Sequence, residues 1–172
     1  AGFVSLCIGN TRLAIIDTSS AGHQPMVDAE TGICISYNGE TYNFQQLRHE
    51  IGEQFGTWRS TTDTEVVLRA YKKWGLESLR RLRGMFALAI WNPITRELIL
   101  ARDPFGIKPL YYFVSTDGED KRLVFASEIR ALIASGLIAK RLCPEGVASY
   151  LSNGSIQAPL TILQGVKSLM PG

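Results

Sequence analysis

Long apolar runs are missing from this 172-residue sequence. No stretch is long enough to cross a bilayer as a helix, and the opening residues hold no basic segment followed by a cleavable apolar one. Histidine is scarce, with only His23 and His49. The three cysteines, Cys7, Cys34 and Cys143, are scattered and form no Cys-x-x-Cys. That leaves no spacing for a protein-bound zinc site and no disulfide framework, so reduced thiols in a cytoplasmic protein are expected. Charge of one sign is also lacking. A net charge of +2 is too slight to argue for nucleic acid or an anionic membrane surface. There is no internal repeat and no low-complexity tract.

What is present is ordinary for a globular chain: 45% hydrophobic and 20% charged residues, in a length that suits one domain with a real core. Leu13-Ala14-Ile15-Ile16 reads as a short buried strand. Residues 33–37 read as a second strand, closed by Asn38-Gly39. Asn43 suits the cap of a helix reaching Ile51, with Phe44, Leu47 and Ile51 on one face. Thr62 or Asp63 caps the clearest helix, 64–74, which Gly75 ends. A short helix follows over 76–82. Residues 85–91 are apolar without alternation, the mark of a strand covered on both faces. Residues 97–102 return from the turn at Asn92-Pro93, and 110–114 with 122–126 suggest a hairpin around Thr116-Asp117-Gly118. Residues 128–134 are helical, Pro144 suits a first helical turn, and 152–172 read as a Gly-, Pro- and Ser-containing linker with one short extended piece. Hairpins of doubly covered strands between amphipathic helices suggest stacked layers.

Asn38-Gly39-Glu40 admits two readings. After a strand-like segment, Asn-Gly is a strong hairpin signal. The same pair can also aim a side-chain NH2 and a glycine N–H at one developing oxyanion, which acyl transfer needs.

The wider sequence bears on that choice. Arg12 to Asp17, Ala21-Gly22-His23-Gln24-Pro25-Met26, Tyr37-Asn38-Gly39-Glu40, Ser60 to Glu65, Gly84-Met85-Phe86-Ala87, Ala101 to Tyr112, Phe125 to Ile129 and Gly165 to Gly172 together resemble the class II glutamine amidotransferase domain. The likeness runs in order along nearly the whole chain. Its details are most similar to the N-terminal half of the glutamine-hydrolysing asparagine synthetases. The resemblance implies an α+β fold: a four-layer αββα N-terminal-nucleophile hydrolase sandwich of two antiparallel sheets. It implies hydrolysis of glutamine, with ammonia passing to an ATP-activated aspartate in a C-terminal synthetase domain. No Ser-Gly-Gly phosphate loop occurs here, so no cofactor is expected in this domain; ATP and Mg are expected only in the synthetase domain. A domain over 1–151 with a linker over 152–172 follows from the same resemblance, as do glutamine and the synthetase domain as partners. Neither nucleic acid nor membrane is expected, and a homodimer is left open.

The resemblance also implies roles. Asn38 and Gly39 match the oxyanion hole, Arg12 the grip on the substrate α-carboxylate, and Asp63 the group that holds the α-ammonium. Ile15 and Ile16 match the pocket wall. Glu40 matches a further pocket residue, and a solvated turn charge is the other reading of it. His23 is taken as structural, Asp103 and Lys108 as architectural, and Arg80-Arg81-Leu82-Arg83 as a solvated helix face. The family attacks with the thiol of an N-terminal cysteine whose own α-amine is the base. Ala1 has no thiol, so activity is expected to depend on an N-terminal cysteine outside this sequence, with further residues before Ala1 and near 4–6, or else the chain is a deletion variant. Two other functions remain at this point. One is the amidotransferase half of a related ligase with a different acceptor; the other is a non-catalytic glutamine-binding scaffold.

Overall fold

The computed structural model describes residues 5–115 and 121–172. The opening 1–4 and the turn around Thr116-Asp117-Gly118 lie outside the described residues. The chain divides into two compact units, Ala1–Ala101 and Arg102–Gly172.

In the first unit, strands β1 (Met26–Val27), β2 (Cys34–Thr41), β3 (Gly84–Asn92) and β4 (Glu97–Arg102) lie in the order β1-β2-β3-β4. Both β1–β2 and β2–β3 are antiparallel. Along β2 the buried residues Ile35 and Tyr37 alternate with half-buried Cys34, Ser36 and Asn38, the period of a strand with two different faces. The middle of β3, from Phe86 to Ile90, is buried without a break, as the unalternating sequence predicts. Helices α1 (Phe44–Ile51), α2 (Asp63–Trp74) and α3 (Glu77–Arg81) connect these strands. The core joins Leu47 and Ile51 of α1, Val66, Val67 and Ala70 of α2, and the sheet residues Ile35, Phe86 and Ile90.

Three expectations are corrected here. Residues 13–16 form no strand; Leu13, Ile15 and Ile16 are 83%, 62% and 41% exposed in a loop. An apolar tetrapeptide carries no periodicity, so it cannot tell a buried strand from a loop that shows its apolar side chains. The strand over 33–37 does not turn at Asn38-Gly39 either. It continues to Thr41, with Asn38 opposite Ala87 and Gly39 opposite Phe86. Asn43 makes no side-chain cap on α1. Its side chain instead takes the Arg83 N–H at 2.9 Å and donates to the Arg81 carbonyl at 2.9 Å.

Helix α2 is held at both ends. Thr62 Oγ1 accepts the Glu65 N–H at 3.2 Å, Asp63 and Glu65 lie in the first turn, and Lys72 and Lys73 lie in the last. These charges complement the helix dipole. Gly75, at φ 57°, ends the helix. The loop before α2 is clamped from within. Glu65 accepts from Ser60 N at 2.7 Å, Ser60 Oγ at 2.8 Å and Arg59 N at 3.1 Å, and it pairs with Arg69 at 2.7 Å. Arg69 also donates to the Gly56 and Thr57 carbonyls at 2.7 and 2.6 Å. The Trp58 ring lies against the guanidinium groups of Arg48 and Arg69, at 4.3 and 4.2 Å.

In the second unit, β5 (Tyr111–Ser115), β6 (Arg122–Ala126) and β7 (Lys167–Ser168) form an antiparallel sheet in the order β6-β5-β7. With them are α4 (Ile129–Ala134) and α5 (Pro144–Asn153). The extended piece expected in the tail is β7. The tail also contributes Leu163 and Val166 to a core with Leu132 and Ile138. Asp103 is fully buried and accepts the N–H groups of Phe105, Ile107 and Lys108 at 3.1, 3.0 and 3.0 Å. Arg102 donates to the Lys108 and Leu169 carbonyls at 2.6 and 2.8 Å. Both residues hold loops, in keeping with an architectural part.

Replacing Arg69 by Ala leaves the Glu65 carboxylate buried without its counter-charge. Loss of about 3–5 kcal/mol is expected, read as a lower urea midpoint; a loss below about 1 kcal/mol would mean the loop does not depend on this pair.

Candidate functional site

The end of β2, the N-terminus of α2 and the loop over 10–25 supply the candidate residues, and all of them belong to the first unit. Asp63 is the first residue of α2 and only 6% exposed. Its Oδ2 accepts the main-chain N–H of Thr41 at 2.9 Å. That bond pins the start of α2 to the end of β2, two residues past Gly39. Glu40 lies close enough for its charge to act on Asp63. Burial raises the Asp63 pKa above the usual carboxylate range, the Thr41 N–H pulls it down, and Glu40 pushes it up further. Tyr37, stacked on Phe86 with ring centroids 6.4 Å apart, hydrogen-bonds Thr41 Oγ1 at 2.7 Å. Burial first, and Asp63 second, keep its phenol protonated.

Gly39 permits a close approach. A Cβ there would lie 2.6 Å from Phe86 Cα and would collide with the Met85 carbonyl. Across the same pair of strands, a Cβ on Gly84 would strike the Glu40 carbonyl. Asn38, Gly39 and Glu40 are all half-buried, and Asn38 has a partner of its own.

Arg12 reaches the same neighbourhood through Gly22. Its guanidinium carbon and Thr62 Cγ2 would lie 2.7 and 2.8 Å from a Cβ on Gly22, so a side chain there would crowd both the arginine and the cap of α2. Arg12 donates to the Ser19 carbonyl at 3.1 Å and to the Asp17 carbonyl. These bonds use two of the five guanidinium N–H donors. The Asp17 carboxylate takes Ser19 N at 2.9 Å and Thr61 N at 3.0 Å, which ties the loop to α2. The Ser19 hydroxyl and these main-chain donors hold its pKa well below the ordinary range. Thus Arg12 and Thr62 both border Gly22, and Asp63, next to Thr62 in sequence, bonds the strand segment that carries Asn38, Gly39 and Glu40. Ile15 and Ile16 stand exposed on the same loop, while His23 is exposed and ends a short 3-10 turn.

Sequence reading passed over Asp17, Gly22, Gln24 and Thr41 as site residues. Gln24 lies in a stretch used only as a family signature. Burial of its amide is what distinguishes it, and no local pattern encodes that. Burial also raises the Cys34 thiol pKa, so Cys34 is not an activated thiol. Among the described residues no group of His, Cys, Asp and Glu is arranged to hold a metal ion, and no helix is long and apolar enough to cross a membrane.

Two antiparallel sheets with flanking helices define an α+β chain, and its solved structural relatives are N-terminal-nucleophile hydrolase amidotransferases. One is the glutamine phosphoribosylpyrophosphate amidotransferase of B. subtilis, with a TM-score of 0.58 and 27% identity over 74% of this chain and 28% of that one. A glutamine amidotransferase domain model matches residues 4–172, and the chain belongs to that family. Among its relatives, asparagine synthetase [glutamine-hydrolyzing] 1 of Bacillus subtilis is 38% identical over 95% of this chain and 25% of its own length. A putative asparagine synthetase [glutamine-hydrolyzing] of Mycobacterium bovis is 44% identical over 73% and 19%. The amidase chry2 of Gibberella zeae is 36% identical over 96% and 23%. The chain therefore spans a quarter or less of these relatives.

The Asp63 charge has a clear thermodynamic sign. Its folded pKa lies above the unfolded value of 3.8, so between the two the folded protein binds more protons. Stability from this group is complete below the unfolded pKa and is lost as pH rises through the folded one. Asp63→Asn keeps an acceptor for the Thr41 N–H without that charge. The variant is expected to gain on the parent in urea-unfolding free energy as pH rises across the window; a difference independent of pH would contradict the assignment.

Proposed function

We propose that this chain is a glutaminase domain that releases ammonia from glutamine and supplies it to a synthetase domain of a longer protein, with ATP-activated aspartate as the acceptor. One observation carries the reading. The Arg12 guanidinium and Thr62 both border Gly22; Asp63, the residue after Thr62, is buried, and its carboxylate is bonded to the strand segment bearing Asn38-Gly39. Free glutamine has an α-carboxylate, an α-ammonium and a side-chain amide, and this grouping offers something to each. Arg12 takes the carboxylate through its unused N–H donors. Asp63 takes the ammonium, whose charge returns the carboxylate to its ionised form. Ile15, Ile16 and Glu40 complete the substrate pocket in this reading. Asn38 and the Gly39 N–H stabilise the oxyanion on the amide carbon.

The chemistry is attack of an N-terminal cysteine thiolate on the carboxamide, collapse of the tetrahedral oxyanion with release of ammonia, then hydrolysis of the glutamyl thioester. The thiol and its α-amine base belong to the family's mature N-terminus. Such a reaction needs no metal or organic cofactor in this domain; ATP and Mg belong with the synthetase domain, and the assembly works in the cytoplasm. The match to an amidase supports a second reading, in which ammonia serves another acceptor.

In the full-length protein, Asn38→Ala is expected to lower kcat for ammonia release from glutamine by about 10²–10³. Arg12→Lys is expected to raise KM for glutamine, because an ammonium cannot copy a two-pronged grip. Unchanged kcat in the Asn38 variant would refute the oxyanion assignment.

A further inference from the structure

Gln24 sits where three arms of the site meet, and it is 7% exposed. Its Oε1 accepts the main-chain N–H of Tyr37 at 2.6 Å and the Asn10 side-chain amide at 3.4 Å. Its Nε2 donates to Thr64 Oγ1 at 3.3 Å. Tyr37 precedes Asn38 and Thr64 follows Asp63. Asn10 lies two residues before Arg12 and also donates to Ser36 Oγ at 3.0 Å. One amide thus holds the immediate neighbours of Asn38 and Asp63 and the stem of the Arg12 loop.

The sheet explains why a side chain is needed here. Strand β1 pairs Met26 with Ile35 and Val27 with Cys34. Carrying that register two residues back would set Gln24 opposite Tyr37, but Pro25 intervenes, has no N–H and stops the ladder. The Gln24 side chain takes over where the main-chain ladder ends. The amide accepts from Tyr37 and Asn10 through its oxygen and donates to Thr64 through its nitrogen.

We propose that Gln24 is a positioning residue that fixes the spacing of Asn38-Gly39, Asp63 and Arg12 without touching the substrate. The inference rests on the glutaminase reading for its kinetic consequence and on geometry alone for its structural one.

The test uses the full-length protein and three variants. Gln24→Asn withdraws the amide by one methylene. Gln24→Glu keeps acceptors for Tyr37 and Asn10 and lets the Thr64 hydroxyl turn and donate. Ile90→Val trims the core away from the site. Two quantities are read: kcat/KM for ammonia release, and hydrogen exchange of the substrate-free protein over residues 36–41, 61–65 and 86–90. Gln24→Asn is expected to lose about 10-fold or more in kcat/KM, since small misplacements of catalytic groups cost that much. Its amides over 36–41 and 61–65 should exchange faster while 86–90 stay protected, and Gln24→Glu should recover most of both. Gln24→Asn overturns the proposal if its kcat/KM stays within about twofold of Ile90→Val, a change too small to signal displaced catalytic groups, or if its arms exchange at the parent's rate. Failure of the parent itself to release ammonia would sink the glutaminase reading, and the exchange data would then decide the role of Gln24.

Discussion

The hydrogen bond from the Thr41 main chain to the buried carboxylate of Asp63 is the constraint on which the site depends. It joins a strand end to a helix start, and its two ends differ in chemistry. The strand supplies Asn38, Gly39 and Glu40; the helix supplies a negative charge and, through Thr62, a seat for Gly22 and Arg12. This bond adds a directional tie to the packing of Val66 and Val67 against Ile35, which already joins α2 to β2. A buried carboxylate is a costly way to make such a joint, because it loses hydration. Its raised pKa records that cost. Carboxylates perturbed in this way cluster at functional sites.

The surroundings answer that tension with hydrogen bonds. Among the described residues every buried side-chain polar atom has a partner. Glu65 and Arg69 fold the loop before α2 around Trp58, and Asp17 fastens the Arg12 loop to Thr61. Polar residues therefore do at the site what apolar packing does in the core, where Ile35, Val66 and Ile90 lie almost fully buried. A polar network that is fully satisfied allows little play between its members.

Much of the fold was legible because its signals were periodic or punctuated. The doubly buried β3, the helix between Thr62 and Gly75, and the strands after Asn92-Pro93 followed from patterning and turn residues. Errors fell where a short signal had two physical meanings. Asn38-Gly39 suits a tight turn, yet here Gly39 serves the close contact of two strands. Residues 13–16 suit a buried strand, yet they display apolar side chains beside polar groups. Asn43 suits a helix cap, yet it bonds the chain leading into β3. The candidate site residues were proposed from family resemblance. Gln24, Gly22 and Thr41 were not, because their importance lies in contacts between residues distant in sequence.

The placement of Asn38-Gly39 within a paired strand also bears on how this protein ages. In a loose chain an asparagine before glycine is prone to lose its amide, as the glycine nitrogen attacks the side-chain carbonyl and closes a five-membered ring; such asparagines are among the heat-labile positions of proteins. Extended backbone held opposite Ala87 and Phe86 keeps that nitrogen turned away from its target. The same pairing protects the amide from becoming a carboxylate, which would set a new negative charge beside Gly39.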